Sequence, residues 1–94
     1  MLLKVSVEYA TETRELYATN LSVEGMFLRA MTPYNIGAEL SLIFSIDDED
    51  PLEVHAMVVS SKSFSPEMKS EPGMGLKFIN LAEDVKYRIS YALM

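Results

Sequence analysis

The chain has 94 residues, of which 49% are hydrophobic and 23% are charged, and its formal net charge is −6. This length predicts a single domain over residues 1–94, and the apolar share excludes a disordered chain. The absence of cysteine excludes disulfides and thiolate metal sites, while the acidic balance disfavours nucleic acid polymers as partners, because an acidic surface repels phosphates.

Alternating apolar and polar residues predict six strands along the chain. The first runs from Leu3 to Tyr9, and a turn at 11–13 separates it from the second. The expected ranges of the later strands are 14–19, 26–29, 38–46, 52–60 and 73–79. An acidic hairpin loop at 47–51 links the fourth and fifth strands, and a polar loop at 61–72 precedes the sixth.

The last part of the chain predicts a helix that starts at Asn80. Asn80 and Glu83 have the spacing of a helix cap. An apolar stripe at helical spacing predicts that the helix covers one open end or edge of the sheet; its members are Leu81, Val85, Ile89, Ala92 and Leu93. Tyr87 and Tyr91 fall on the opposite face, either as ordinary exposed aromatics or as part of a partner surface.

Neither membrane insertion nor secretion is indicated. No apolar run approaches the ~18–20 residues of a membrane helix, and the residues after Met1 do not resemble a signal peptide. A chain without cysteine is compatible with a reducing compartment. A cytoplasmic location is therefore expected.

The turn between the second and third strands carries the most informative motif, Asn-x-Ser-x-x-Gly at residues 20–25. Its plain interpretation is a tight link, because Asn and Ser hydrogen-bond nearby backbone and Gly adopts conformations that other residues avoid. Between two strand-like runs, however, the motif resembles the Asp/Asn-x-Ser-x-x-Gly signature of the PilZ domain family. The loop at 33–37, the glycine-containing segment at 73–78 and the closing helix follow in the same order as in that family, so the resemblance extends from about Val5 onward.

This resemblance implies an all-β fold, a six-stranded antiparallel PilZ-type β-barrel with one C-terminal α-helix. It also implies binding of cyclic di-GMP, a bacterial second messenger, with no other cofactor. In that site Asn20 would face a guanine edge, Ser22 would offer its hydroxyl and Gly25 would leave room for the ligand. Lys4, the only cation near the start of the chain, would meet a phosphate as a point charge.

The second half of the family's site is an Arg-x-x-x-Arg segment just before the first strand, and this pattern does not occur in the sequence. Arginine pairs grip phosphates bidentately and stack on guanine. Because a hydrogen bond to a charged group contributes roughly 1.5–3 kcal/mol, losing two such anchors costs about 3–6 kcal/mol. That loss corresponds to a hundredfold to ten-thousandfold in affinity, on the order of a change from micromolar to millimolar binding.

Two functions therefore stay open. One is a cyclic di-GMP receptor, which an Arg-x-x-x-Arg segment upstream of Met1 would favour. The other is a ligand-free protein-interaction adaptor in bacterial signalling or motility. Its partner would contact the Tyr87 and Tyr91 face or an outward apolar face, unless the helix covers the latter; the residues of this apolar face are Phe27, Ile43, Met57, Val59 and Ile79.

Enzymatic activity and metal binding are not expected. No nucleophile–base pair is visible, and paired carboxylates occur only in loops where nothing would exclude water. His55 is the only histidine and is expected on an outward strand face. The acidic run at 47–50 lacks the spacing of a calcium loop, so a solvated hairpin tip is expected there.

Overall fold

The structure, a computed structural model that describes residues 2–94, is a closed barrel of six antiparallel strands followed by one helix. This confirms the predicted all-β barrel with a C-terminal helix. The strands are β1 (Leu3–Tyr9), β2 (Glu12–Leu21), β3 (Gly25–Arg29), β4 (Glu39–Phe44), β5 (Leu52–Lys62) and β6 (Gly73–Ile79), and the helix is α1 (Glu83–Ala92).

The barrel closes because β1 pairs with both β2 and β4. Around the barrel the order is β1-β2-β3-β6-β5-β4. The last strand therefore inserts between β3 and β5, where Gly25 is paired with Lys77 and Phe27 with Gly75. This insertion brings residues from the end of the chain next to the turn at 20–25.

The core consists of the inward-facing residues of all six strands, as the alternation predicts. Each large aliphatic side chain removed from water contributes roughly 1.5–3 kcal/mol. The largest fully buried side chains are Leu28, Leu40, Leu42, Met74, Ile89, Val5, Val7 and Val58. Ile89 belongs to the helix, which covers one end of the barrel with Leu81 and Val85 packed against the same core.

The strand pairing is interrupted at two places. The register between β2 and β3 shifts between Ala18 and Asn20, and that between β5 and β6 shifts between Val58 and Ser60. A bulge of this kind adds a residue to one strand and re-aims the side chains that follow. Beyond the second shift β5 continues to Lys62, two residues past its predicted end.

The predicted start of the helix is wrong. The helix begins at Glu83, with Ala82 as the N-cap residue and no side-chain cap bond. Asn80 has a φ of 49° and turns the chain after β6, a left-handed conformation that Asn tolerates better than most residues.

Tyr87 and Tyr91, on the outer face of the helix, are 68% and 66% exposed, with ring centroids 6.2 Å apart. Across residues 2–94 no helix combines the length and apolar character needed to cross a membrane.

The opposite end of the barrel is closed by Tyr34, from the loop before β4. Its ring centroid lies 4.6 Å from that of Tyr9 and 4.2 Å from the guanidinium carbon of Arg14. Its hydroxyl donates a hydrogen bond to the Glu12 carboxylate. Burial and this bond raise the pKa of Tyr34, while the donors Tyr34 and Arg14 lower the pKa of Glu12.

The outward apolar residues do not form the single face that was considered from the sequence. Ile43 lies on β4, and two strands separate it from Phe27 on β3. Ile79 is paired with His55, four residues along β6 from the partner of Phe27. Of these five residues, Phe27 and Val59 line a common groove.

Candidate functional site

The predicted motif opens on a groove of about 480 Å³ on the outer surface of the barrel. The turn supplies Asn20, Ser22 and Gly25 to its wall. The other residues around the groove come from three strands and the turn itself; they are Glu24, Met26, Phe27, Val59, Gly75, Leu76 and Lys77. Three of the four residues predicted for the ligand site are thus brought together.

Asn20 is held in place by the backbone of the neighbouring strand. Its Oδ1 accepts a hydrogen bond from the Phe27 N–H at 3.1 Å, at the point where the β2–β3 register shifts. Because an amide side chain has both an acceptor and a donor group, this bond leaves Nδ2 as a donor beside the groove. The arrangement fits the expected contact with the acceptors on a guanine edge.

Ser22 organises the turn. Its Oγ accepts a hydrogen bond from the Glu24 N–H at 3.1 Å, and its own N–H donates to the Gly25 carbonyl at 2.9 Å. The Glu24 carbonyl in turn accepts from the Phe78 N–H at 2.8 Å, which ties the turn to β6. The Ser22 hydroxyl proton stays able to donate, so the residue combines the structural role with a free donor.

Gly25 has a packing role that the sequence did not reveal. A Cβ at this position would lie 1.8 Å from the Leu76 carbonyl oxygen, far inside any contact distance. Only a residue without a side chain allows β3 to approach β6 this closely. The structure therefore explains Gly25 by strand packing, and its contact with a ligand stays a prediction.

Lys4 is not brought to the groove. Its Nζ lies 3.0 Å from Glu15 Oε1, and the hydrogen bond to this carboxylate, together with its charge, raises the pKa of Lys4. Lys4 is paired with Tyr17, and Glu15 and Asn20 lie on opposite sides of Tyr17 along β2. The lysine therefore reaches away from the motif.

Lys77 is the cation that the structure places at the motif. It is paired with Gly25 on the β3–β6 ladder, is exposed and lines the same groove as Asn20 and Ser22. Alternation along β6 predicts that Lys77 faces outward, but its position beside the motif depends on the insertion of β6 next to β3. Glu24 lines the groove as well and opposes an anionic ligand.

A second groove, of about 390 Å³, adjoins the first on the far side of Phe27. Lys62 lines it, and its Nζ donates a hydrogen bond to Ser70 Oγ at 2.8 Å. Glu71 lines it too, but its carboxylate lies 3.1 Å from Arg29 Nε and is thus neutralised. Hydroxyl groups and a cation make this groove suited to an oxyanion.

The residues considered for metals are dispersed. His55 is exposed on the outer face, with Nδ1 3.3 Å from Ser41 Oγ. Asp47 and Asp48 have φ values of 52° and 60° in the exposed hairpin tip. Within residues 2–94 there is no group of three or more His, Cys, Asp or Glu side chains that could hold a metal ion.

Comparison with known proteins agrees with the fold. A family model for the PilZ domain matches residues 1–92, whereas no curated protein matches the chain. The solved structure of the Bacillus subtilis inhibitor of motility, MotI/DgrA, is similar with a TM-score of 0.80 and 19% sequence identity. The match covers 99% of this chain and 46% of that one, so this chain spans less than half of its length. At this identity the likeness concerns the fold alone.

Proposed function

This chain belongs to the PilZ domain family and is a PilZ-type signalling domain, and we propose that it is a receptor for cyclic di-GMP in the bacterial cytoplasm. The observation that carries the proposal is the open groove at the Asn20–Gly25 turn, into which donors of Asn20 and Ser22 can point. A regulatory role, not an enzymatic one, follows from this assignment.

The groove offers complementary chemistry for each part of a guanine nucleotide. The Asn20 Nδ2 group can donate a hydrogen bond to guanine, whose O6 and N7 are two adjacent acceptors. The Ser22 hydroxyl is a donor for a phosphate or ribose oxygen, and Lys77 supplies a positive charge. Without the arginine pair we expect weak binding, in the millimolar range, for the reasons of magnitude given above.

A titration of the 15N-labelled chain with cyclic di-GMP tests the proposal. The amide resonances of residues 20–26 and the side-chain amide of Asn20 should shift progressively up to millimolar ligand. The variant Ser22→Ala should weaken the shifts, since it removes the hydroxyl donor; the Glu24 N–H also loses its acceptor, while the backbone bond from residue 22 to Gly25 remains. Ser41→Ala, whose hydroxyl lies beside His55, is the matched control and should titrate like the unaltered chain.

The same titration can also contradict receptor function. If no resonance of the turn moves at millimolar cyclic di-GMP, this chain does not bind the nucleotide. Shifts spread evenly over the surface, without concentration at residues 20–26, would also contradict the proposed site.

A second candidate function, a ligand-free adaptor that binds a protein partner, is favoured by the exposed tyrosines of the helix. Tyr87 and Tyr91 are stacked at an interplanar angle of 25° and leave about two thirds of their surfaces in water. Paired exposed aromatics are typical of interface anchors. The similar solved structure is named an inhibitor of motility, so motility is a process in which such a partner would be sought.

The test of the adaptor function is partner capture with a matched pair of variants. Replacing both tyrosines, as Tyr87→Ser with Tyr91→Ser, should abolish capture of a motility or signalling protein that the unaltered chain retains. The single variant Tyr17→Ser, on the barrel wall, removes a tyrosine ring that is 44% exposed and should leave capture unchanged. Capture that survives the loss of both helix tyrosines would exclude this surface.

A further inference from the structure

We propose that the strip of barrel surface from Lys77 across Phe27 to Lys62 is a nucleotide-binding surface in which two lysines take the phosphates and the Phe27 ring supports a base. This inference rests on the proposed receptor function. It assigns the phosphate contacts to strands β5 and β6, within the barrel itself.

The strip follows from the pairing of three neighbouring strands. Phe27, Gly75 and Ser60 are paired across β3, β6 and β5 and form its middle row. Lys77 lies in the row on one side, and Lys62, paired with Gly73, lies in the row on the other. The two lysine rows lie four residue steps apart along β6, about 14 Å at ~3.4 Å per residue. Their flexible four-carbon stems let both ammonium groups reach toward the middle.

The bulge in β5 is what turns Lys62 toward this surface. Before the bulge, Val54, Ala56 and Val58 face the core. Had the alternation continued, residues 60 and 62 would have faced the core too. The extra residue, Val59, reverses the alternation, and Ser60 and Lys62 are exposed on the same face as Phe27. A bulge with this effect is typical of binding surfaces.

The strip is flat between Phe27 and Lys62 because Gly75 in the middle row and Gly73 in the Lys62 row have no side chains. A Cβ on Gly73 would lie 2.6 Å from Phe27 Cζ, and one on Gly75 would lie 2.5 Å from Ser60 Oγ. The Phe27 ring therefore lies over Gly73, and Val59, which is 51% exposed, stands beside it. Such an aromatic platform supports base stacking, worth roughly 1–3 kcal/mol per base.

The charges along the strip suit an anion better than the rest of this acidic chain does. Lys77 and Glu24 line the first groove and Lys62 and Glu71 the second, and Glu71 forms an ion pair with Arg29. The balance is one positive charge, three cations against two anions, whereas the whole chain carries −6. Both lysines are exposed, and Lys62 is already aligned by its bond to Ser70.

The test compares cyclic di-GMP binding by the unaltered chain, Lys77→Met, Lys62→Met and the control Lys86→Met at one salt concentration. Lys86 is exposed on the helix, away from the strip, and its loss changes the net charge equally. For each strip lysine the initial slope of amide shift against ligand concentration should fall about tenfold, the effect of one charge-assisted contact. The control should keep the slope of the unaltered chain. Lys77→Gln and Lys62→Gln repeat the test without adding apolar surface.

Guanosine, which has no phosphate, separates the two kinds of contact. The lysine variants should leave guanosine-induced shifts unchanged, and Phe27→Leu should reduce them about tenfold. Equal weakening by Lys86→Met, or a loss at Lys77 alone, would overturn the strip while leaving receptor function intact. No binding of cyclic di-GMP by the unaltered chain would overturn both.

Discussion

Replacing Gly25 by alanine should destabilise the whole barrel, independently of any ligand. The new Cβ would meet the Leu76 carbonyl oxygen at 1.8 Å, and that atom is backbone, so β3 and β6 must separate. Overpacking a closed core costs about 1–3 kcal/mol, and here the upper end is expected because no side chain can move aside. With ~4–8 °C per kcal/mol for a domain of this size, the melting temperature should fall by about 12–24 °C.

The matched control is Gly75→Ala, in which the Cβ would meet the Ser60 Oγ at 2.5 Å. This hydroxyl can rotate away at the expense of its hydrogen bond from the Gly75 N–H, worth about 1 kcal/mol. Thermal and urea unfolding of both variants gives the comparison. Equal effects of the two substitutions, or a Gly25→Ala variant as stable as the unaltered chain, would refute the packing role of Gly25.

Three further predictions concern the turn, the closed end and the helix. Asn20→Ala should lower the free energy of unfolding by about 1 kcal/mol, because the Phe27 N–H loses its acceptor, whereas Asn20→Asp, which keeps an acceptor oxygen, should change urea unfolding much less. The folded-state pKa of Glu12 lies below its ordinary value of 4.5, so its contribution to stability is present above pH 4.5 and is lost as pH falls through the folded pKa. The variant Tyr34→Phe removes the main donor to Glu12 and should show a smaller loss in melting temperature between pH 6 and pH 3; an unchanged pH profile would contradict this contact. Ala82→Ser should raise the free energy of unfolding by about 1 kcal/mol, because the N-cap position has extended backbone and no side-chain bond.

The order of the strands along the chain was predictable because each has one buried face. Alternation at residues 3–9 and 73–79 matches the observed β1 and β6 in both range and orientation. The helix stripe was predictable in part: Leu81, Val85 and Ile89 pack on the core, whereas Leu93, also predicted to belong to the stripe, is 41% exposed. The family motif then supplied the barrel topology, which periodicity alone does not determine.

The composition of the site was less predictable, because it depends on which strands become neighbours. Lys4 would lie near the motif if only β1 and β2 were considered, yet the register places it opposite Tyr17 and its ammonium group forms an ion pair with Glu15. Lys77 is 57 positions away from Asn20 in the sequence, and only the insertion of β6 beside β3 brings them to one groove. The reversal at Val59 depends on a register shift that leaves no mark in the residue pattern.

The start of the helix was predicted wrongly for a different reason. Asn80 has the residue type and the spacing of a cap, and both properties are equally suited to the left-handed turn that it forms. Local sequence cannot separate these two uses of asparagine. The direction in which β6 must leave the barrel decides between them.

Complete closure of the barrel restricts how this domain can recruit another protein. Because β1 and β4 satisfy each other's backbone groups, none of the six described strands offers a free row of amides and carbonyls to an incoming peptide. A peptide therefore cannot bind this domain by adding a strand to the edge of its sheet, a mode of recognition that is common among open sheets. Any partner must instead recognise side chains on the barrel wall, the loops or the helix, so small changes in surface residues would redirect its choice of partner without disturbing the scaffold.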